Sequence, residues 1–296
     1  SALTHGTGAG EVLAGTDPHP RINDVLVAFD GDDQLYGYAG RDYLYAGNGN
    51  DTLVGGADGD VLLGEAGDDA LYGGDAMDYL FGGAGANLLS GDAGTDVLIS
   101  EGSGDTMQGG AGNDWLYAYS SGLTHAYGDA GNDIFVMQAG RGRAHGGEGQ
   151  DYFYMGAGAD LMEGGAGVDV LIGAGGGDWF DGGADVDYLF LGAGNDTVVM
   201  RAGSGVDVVN GFSVAEDTLH LAGTALRTLE QVRAATTDYA GFCVVTLDGS
   251  SAIWLVGLGA RRPARGQPRV RLRAPLQASS RWRNHFSSWT PSTSRA

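Results

Sequence analysis

Apolar residues in this chain recur at intervals of nine, which is neither helical nor ordinary strand spacing. Between residues 28 and 199, most nine-residue units begin with glycine, reach an aspartate at position six and place a large apolar residue at position eight. The segments GGAGNDWLY at 109–117 and GGEGQDYFY at 146–154 show the unit nearly complete. Because helices repeat about every 3.6 residues and strands about every 2, this period predicts one small structural unit stacked many times.

Each unit is predicted to form a glycine-rich turn over positions one to six and a short strand over positions seven to nine. Glycine permits positive φ and close backbone approach, so the turn can be tight while its carbonyls point toward a shared centre. The apolar residue at position eight then faces inward and its two neighbours face outward. Two units would complete one coil, so that each unit stacks on the next but one at about 4.8 Å.

The register of these units predicts six segments. They are 1–27 (degenerate N-terminal units), 28–117 (first regular block of units), 118–127 (an irregular ten-residue unit without the aspartate), 128–199 (second regular block of units), 200–259 (a C-terminal cap) and 260–296 (an Arg-rich disordered tail). The cap is predicted because a stacked fold needs its last layer covered. The tail is predicted to be disordered because it contains Arg, Pro and Ser without periodicity.

Aspartates at position six are the candidate metal ligands. They are Asp33, Asp42, Asp51, Asp60, Asp69, Asp78, Asp96, Asp105, Asp114, Asp133, Asp151, Asp160, Asp169, Asp178, Asp187 and Asp196. Stacked at about 5 Å, like charges repel by roughly 3 kcal/mol at an effective dielectric of about 20. A hard divalent cation held by carboxylates and carbonyls removes this repulsion, and calcium suits irregular oxygen cages better than magnesium. We therefore predict several bound Ca²⁺ ions, with binding and folding as one event.

Glycines at position four are predicted to complete these metal sites through their backbone. They are Gly31, Gly40, Gly49, Gly67, Gly112, Gly131, Gly149, Gly158, Gly167 and Gly194. In a few units another residue stands there, namely Asp58, Ala76, Ser103 or Asp185. In those units an Asx turn without an ion is a stronger alternative for the aspartate. Asn87 would be a weaker ligand, and Gly142 offers no side chain.

The unit GGxGxDxUx, where U is a large apolar residue, closely resembles the nonapeptide repeat of the RTX (hemolysin-type calcium-binding) family. The resemblance is strong over about 28–199 and looser over 6–27 and 202–259. It implies an all-β fold, a right-handed parallel β-roll that binds calcium. Residues 216–258 look like the cap that ends serralysin-type proteins, which implies type I secretion and an extracellular location. The Arg-rich tail departs from the acidic or apolar C-terminus usual in that family.

The residues at positions seven and nine are predicted to point outward. Sorting alternate units assigns these residues to two faces that differ in composition. One face is wholly apolar, with aromatic pairs alternating with aliphatic pairs: Tyr43/Tyr45, Val61/Leu63, Tyr79/Phe81, Val97/Ile99, Trp115/Tyr117, Ile134/Val136, Tyr152/Tyr154, Val170/Ile172 and Tyr188/Phe190. The other face is mixed and includes Gln34, Arg143 and His145. Nine strands make a ribbon about 40 Å long, and an exposed apolar patch of that size usually has a partner. A neighbouring domain, a second copy of the chain and a polysaccharide are the candidates; β-propensity alone is the alternative.

Charge and composition restrict the partners further. The formal net charge is −22, and nine of the 16 basic residues, all arginine, lie after residue 260. So acidic a body repels nucleic-acid phosphates and favours cations. No apolar run approaches the ~18 residues of a membrane span. Cys243 stands in the apolar run FCVVTL, which predicts a buried strand residue and not a nucleophile.

Catalysis is not predicted for this chain. No HExxH, GxSxG or P-loop motif occurs in it. The leading hypothesis is a secreted calcium-binding RTX β-roll that folds on calcium and serves as an interaction scaffold. One alternative is the C-terminal accessory or secretion module of a larger secreted metalloprotease, lipase or alginate epimerase, whose catalytic domain would precede Ser1. The other alternative is a polysaccharide-binding adhesion module.

Overall fold

Alternate units of the chain contribute strands to two parallel sheets, which we call sheet A and sheet B. The computed structural model describes residues 3–15, 22–258 and 271–272. Up to Ala222, the strands of the coils pair with the strand of the next coil and not with their neighbour in sequence. The predicted all-β parallel β-roll is therefore confirmed. The predicted disordered tail lies outside the described residues, apart from 271–272.

Sheet A contains the larger set of strands. In spatial order these are β1 (Leu3–His5), β3 (Val25–Val27), β5 (Tyr43–Asn48), β7 (Val61–Ala66), β9 (Tyr79–Phe81), β11 (Val97–Ser100), β13 (Trp115–Ala118), β15 (Ile134–Ala139), β17 (Tyr152–Gly158), β19 (Val170–Ile172), β22 (Tyr188–Phe190), β25 (Val206–Asn210), β29 (Ala252–Val256), β28 (Phe242–Thr246) and β27 (Thr236–Tyr239). Two short strands, β20 (Gly175–Gly176) and β23 (Ala193–Gly194), pair beside β17.

Sheet B runs along the opposite side of the coils. Its strands are β2 (Val12–Ala14), β4 (Gln34–Ala39), β6 (Thr52–Ala57), β8 (Ala70–Asp75), β10 (Leu88–Gly94), β12 (Thr106–Gly112), β14 (Leu123–Ala130), β16 (Arg141–Glu148), β18 (Leu161–Ala166), β21 (Trp179–Ala184), β24 (Thr197–Arg201), β26 (Thr218–Ala222) and β30 (Arg271–Leu272). All its pairings are parallel and in register, as in Leu35 with Leu53. Identical positions of the unit therefore stack directly above one another.

The ten-residue unit at 118–127 is absorbed without disturbing the two sheets. Met107 of β12 pairs with Ala126 of β14, so the extra residue lies before the strand. Ala126 is fully buried, whereas His125 is half-buried and faces outward. Counting eight positions from residue 118 predicts His125 as the inward residue, but the structure places Ala126 there, one residue later.

Position eight of each unit forms the core between the two sheets. Leucine is the usual residue there, and it is completely buried in every coil from Leu35 to Leu98. In the coils where sheet B contributes only Ala126 and Ala144, sheet A contributes Phe135 and Phe153. These two rings stack at 4.5 Å between centroids. Larger side chains in one sheet thus fill the volume that alanine leaves in the other.

Parallel stacking continues past residue 199, into the segment predicted as a cap. Val208 of β25 pairs with Tyr188, and Thr218 of β26 pairs with Thr197. Beyond β29 the pairing becomes antiparallel through β28 and β27. This change of direction ends the parallel ladder of sheet A, as the end of a stack requires.

A short helix, α1 (Leu229–Ala234), precedes the antiparallel strands. It begins with a capping box, in which the Thr228 hydroxyl accepts from the Gln231 N–H and the Gln231 side chain accepts from the Thr228 N–H. In the described part of the chain, no helix has the length and apolar character to cross a membrane.

Positions two and four of the turns adopt left-handed backbone conformations, which explains the glycine pattern. Every described non-glycine residue with positive φ stands at one of these positions: Tyr38, Asp58, Glu65, Ala76, Asp92, Asp129, Ala174 and Asp185. At position four, Gly67 has a φ of 143°, and a Cβ there would overlap the carbonyl oxygen of Gly49 in the adjacent coil. Glycine is thus needed both for the turn and for the close stacking of turns.

Candidate metal centre

Position six ends each turn, immediately before a strand, and stacks into two columns. Column A precedes the strands of sheet A and contains Asp24, Asp42, Asp60, Asp78, Asp96, Asp114, Asp133, Asp151, Asp169, Asp187 and Asp207. Column B precedes the strands of sheet B and contains Asp33, Asp51, Asp69, Asn87, Asp105, Thr124, Gly142, Asp160, Asp178, Asp196 and Asp217. Members of both columns are buried. All sixteen aspartates predicted from the sequence are among them.

One carboxylate oxygen of most of these aspartates joins successive coils. The N–H of Asp42 donates to Oδ1 of Asp60 at 2.7 Å, and the N–H of Asp60 donates to Oδ1 of Asp78 at 2.7 Å. The same bond runs across the ten-residue unit, from the N–H of Asp114 to Oδ1 of Asp133 at 2.8 Å. This ladder satisfies buried backbone donors and fixes the orientation of these carboxylates.

The second carboxylate oxygen, Oδ2, is buried without a hydrogen-bond partner in most of these aspartates. Within the described residues this holds for Asp42, Asp51, Asp60, Asp69, Asp78, Asp96, Asp114, Asp133, Asp151, Asp169, Asp178, Asp187 and Asp196. In Asp207 neither oxygen has a partner. Leaving one buried polar group unsatisfied costs about 1–3 kcal/mol, and more if it is charged. Because the same unsatisfied oxygen recurs in coil after coil, one kind of partner is expected to bind all of these Oδ2 atoms.

Glycine at position one leaves an oxygen-lined space beside most of these unpartnered Oδ2 atoms, whereas Ala46 and Leu191 stand at that position in the units of Asp51 and Asp196. A Cβ built on Gly37 would lie 2.6 Å from Oδ2 of Asp42 and 2.6 Å from the carbonyl oxygen of Gly55. A Cβ on Gly73 would lie 2.5 Å from Oδ2 of Asp78 and 2.9 Å from the carbonyl oxygen of the next glycine along the column. Carboxylate and carbonyl oxygens from two successive coils therefore converge on the space that a side chain would fill.

Burial makes the charged form of these carboxylates unfavourable. It raises the pKa of Asp60 to about 8, and the negative charges of Asp42 and Asp78 add to the effect while the Asp42 N–H opposes it. Burial likewise raises the pKa of Asp133 and of Asp151 to about 7. A cation among these carboxylates would favour the ionised form and reverse the shift.

The donor chemistry of the columns fits calcium. Among the described residues, no group of three or more His, Cys, Asp and Glu side chains could hold a metal. An ion in the columns would therefore draw on backbone carbonyls as well as on one or two carboxylates. Calcium accepts about 6–8 oxygen ligands in flexible geometry, whereas zinc prefers nitrogen and sulfur.

The predicted position-four glycines lie in the turns of these columns. Nine of the ten have positive φ, from 121° at Gly167 to 149° at Gly194; Gly158 is the exception. Sequence reasoning missed Asp24, Asp207 and Asp217, which occupy position six outside the regular block. Each is followed by a short strand (VLV, VVN and TLH), and this was the available signal.

Column B departs from the pattern near its middle. Thr124 and Gly142 replace aspartate in two successive coils. Beside Gly142, the space for a position-six side chain is taken by Met137 and Met155, since a Cβ there would meet the Sδ of Met137 at 2.5 Å and overlap the terminal methyl of Met155. Both methionines are buried. In these turns apolar side chains fill the space that carboxylate and carbonyl oxygens line in the neighbouring turns.

Comparison with known proteins identifies the repeat. The RTX calcium-binding nonapeptide repeat (4 copies) matches residues 23–53, 45–76, 63–98, 72–105, 99–121, 127–162, 138–171 and 163–198, which together cover more than half of the chain. No curated protein matches. Among solved structures, the extracellular lipase LipA from Serratia marcescens is similar at 18% identity and a TM-score of 0.34, over 72% of this chain and 40% of that chain. The chain thus spans about two fifths of that lipase. With its stacked coils and aspartate columns, this chain belongs to the family of RTX calcium-binding nonapeptide repeat proteins.

Proposed function

We propose that this chain is a secreted binding module, without catalysis of its own, that folds when calcium enters its turns. The observation that supports it most is the recurring pair of a buried, unpartnered aspartate Oδ2 and a nearby backbone carbonyl in column A. Family membership supports calcium as the ion. Family membership and the acidic body of the chain also support secretion.

The proposed ligands are the sixteen aspartates predicted from the sequence, with the carbonyls of the turn glycines. Asp24, Asp207 and Asp217 join them because they extend the same columns. When bound, calcium would neutralise the stacked carboxylates and occupy the unpartnered oxygens. Oδ1 of the aspartate accepts a backbone hydrogen bond from the adjacent coil, and a glycine at position one leaves the space beside Oδ2 open.

Folding on calcium follows from the cost of assembling the columns without it. At neutral pH the carboxylates must either stay ionised and repel one another or take up protons, as the raised pKa values of Asp60 and Asp133 indicate. Hydrophobic burial alone acts against this cost and against the ordering entropy of a chain with 56 glycines. Calcium therefore becomes part of the folding free energy.

Circular dichroism during a calcium titration tests this function. We expect a cooperative gain of β signal at the millimolar calcium levels typical outside cells, and its loss on adding chelator. Magnesium at the same concentration is the matched control and should give little signal. A chain already folded in metal-free buffer at pH 7.5, or one indifferent to calcium, would contradict the proposal.

We further propose that the outer face of sheet A is an interaction face. Its position-seven aromatic residues are about two-fifths exposed, with Trp115 at 43% and Tyr79 at 39%. The aromatic character continues into the C-terminal strands, where Phe242 stacks on Trp254 at 5.4 Å. The corresponding positions of sheet B are mixed, so strand propensity alone does not account for the difference.

Substitution of this face separates binding from folding. Replacing Tyr79, Phe81, Trp115 and Tyr117 together with serine should abolish association, measured as self-association in solution and as retention by polysaccharide, and leave the calcium titration unchanged. The matched control replaces Thr52, Val54, Thr106 and Gln108 of sheet B with serine. Unchanged association in the sheet A variant would eliminate the interaction face.

A further inference from the structure

A small pocket opens on the outer face of sheet B, beside the break in column B. Its volume is about 100 Å³, and His125, Tyr127, Arg143, His145 and Glu163 line it. These side chains come from three adjacent strands, β14, β16 and β18, at positions seven and nine. They alternate with buried residues along each strand, so all five face outward.

Strand register arranges the pocket residues in two parallel rows. His125 pairs with Arg143 in one row. In the other row His145 stands between Tyr127 and Glu163. Neighbours in a row are separated by the strand spacing of about 4.8 Å, so the two rows form the walls of a short cleft. The cleft presents an imidazole, a cation and the apolar Leu161 side chain on one wall, and a phenol, an imidazole and a carboxylate on the other.

Arg143 differs from the other arginines of residues 22–258 because it is half-buried, whereas they are exposed. Within the described residues it makes no ion pair, whereas Arg201, further along the same face, is paired with Asp181. Arg143 is half-buried, in a chain with 38 acidic residues. A guanidinium with five donors in a rigid fork, left unpaired and partly desolvated, favours binding an anionic oxygen group.

The break in column B strengthens this local positive character. Thr124 and Gly142 each directly precede a residue of the pocket, and they replace the two carboxylates that would otherwise lie beneath it. Without these charges the Arg143 guanidinium is less neutralised than it would be over a coil with aspartate in column B. The same two coils thus lack aspartate at position six inside and carry the Arg143 guanidinium outside.

The remaining residues restrict the anion. Glu163 on the opposite wall repels a doubly charged group such as phosphate, but accepts hydrogen bonds from hydroxyls. Burial and the neighbouring Arg143 lower the pKa of His125, which favours the neutral imidazole, able to donate or accept. Tyr127 adds a hydroxyl and a ring face.

We propose that this pocket binds a carboxylate flanked by hydroxyl groups, the chemistry shared by acidic sugars and open-chain hydroxy acids. Arg143 would take the carboxylate, and Glu163 with the two histidines would take the hydroxyls. Both walls stand outside the turn columns, so the pocket adds a ligand that is separate from calcium.

Nuclear magnetic resonance of the calcium-loaded protein tests the pocket. The ring signals of His125 and His145 are followed during addition of D-glucuronate, D-gluconate, D-glucose or inorganic phosphate, with free calcium held constant. We expect saturable shifts with at least one of the two hydroxy carboxylates, at an affinity at least tenfold above that for glucose or phosphate. If glucuronate binds with the higher affinity, the ligand is an acidic sugar. If gluconate binds with the higher affinity, the ligand is an open-chain hydroxy acid.

Matched variants assign the effect to the pocket. Arg143→Gln should weaken binding of the preferred carboxylate at least tenfold, whereas Arg41→Gln, at an exposed arginine in another coil, should leave it unchanged. Equal responses to glucose and glucuronate, tighter phosphate binding, or no effect of Arg143→Gln would overturn the proposal. Circular dichroism in calcium before each titration confirms that every variant is folded, so a failure of calcium-dependent folding is recognised separately.

Discussion

Columns A and B are built from the same nine-residue unit, yet one is uniform and the other is not. Column A keeps aspartate at position six from Asp24 to Asp207 and glycine at position one from Gly15 to Gly182. Column B varies at position one, with Ala28, Ala46, Gly64, Gly82, Ser100, Ala118, Met137, Met155, Gly173 and Leu191. It also loses aspartate at Asn87, Thr124 and Gly142. The same nine-residue backbone unit can therefore form a turn lined by carboxylate and carbonyl oxygens or a turn packed with apolar side chains.

The difference has a physical consequence for stability. Column A repeats buried, unpartnered carboxylate oxygens in every coil from Asp42 to Asp187, so its assembly depends on neutralising charge. The middle of column B contains no carboxylate between Asp105 and Asp160, and buried methionines pack there. Column A should therefore respond to calcium and pH, whereas the middle of column B should respond to changes in side-chain volume.

The largest expected effect is the pH dependence of the metal-free protein. Burial raises the pKa of Asp96 to about 7 and that of Asp60 to about 8, above about 3.9 in the unfolded chain. Groups raised in this way bind more protons when folded, so stability is fullest below pH 4 and is lost as pH rises through 7 to 8. In metal-free buffer, circular dichroism should show more β structure at pH 5 than at pH 8.

Saturating calcium should invert that dependence, because the ion requires ionised carboxylates. With 10 mM calcium, the β signal should persist at pH 8 and the calcium midpoint should rise as pH falls toward 5. Most of the carboxylates with a raised pKa lie in column A. Equal β content at pH 5 and pH 8 in metal-free buffer would therefore contradict the charge dependence of this column.

Removing one aspartate of column A is the next largest effect. Asp78→Ala deletes a buried Oδ2 and leaves the Asp60 N–H without its acceptor, a loss of about 1–3 kcal/mol before any loss of calcium affinity. We expect the calcium midpoint for folding to rise several-fold. Asp75→Ala removes the same charge from an exposed position in the same unit and should leave the midpoint nearly unchanged. Equal shifts in the two variants would indicate a general charge effect.

Shortening a methionine tests the apolar part of column B. Met155→Ala should cost about 2–4 kcal/mol of unfolding free energy because it leaves a cavity in the core. Denaturant unfolding at two saturating calcium concentrations should give the same loss at both. If added calcium restored the lost stability, the middle of column B would also be closed by an ion.

Filling the position-one space gives the smallest of these effects. Gly37→Ala would place a Cβ 2.6 Å from Oδ2 of Asp42, so the turn must shift at a cost of about 1–3 kcal/mol. Ala46→Gly makes the reverse change in column B and should cost under about 1 kcal/mol, because a Cβ is already accommodated at that position in the unit of Asp51. If the two variants lost comparable free energy of unfolding in the presence of calcium, the two columns would have the same steric requirement at position one.

Much of this architecture was predictable because the repeat is local and strict. The aspartate at position six and the apolar residue at position eight indicated the coil, the two columns and the inward core residues from Leu35 onward. The outward apolar face of sheet A followed from sorting alternate units. The inward role of Ala126 in the ten-residue unit did not follow, because counting along the chain cannot show where an extra residue is accommodated.

The sequence by itself determined the unit: a turn that needs glycine at positions of positive φ, an aspartate at its end and one apolar residue per strand. These requirements act within nine residues, so they can be read without knowing the contacts. Only the tertiary structure decided which turns are closed by methionine, that Asp24, Asp207 and Asp217 extend the columns, and that Arg143 lies in a cleft. Those properties depend on residues of different coils, separated by 18 residues or more, and such contacts exist only when the coils are stacked.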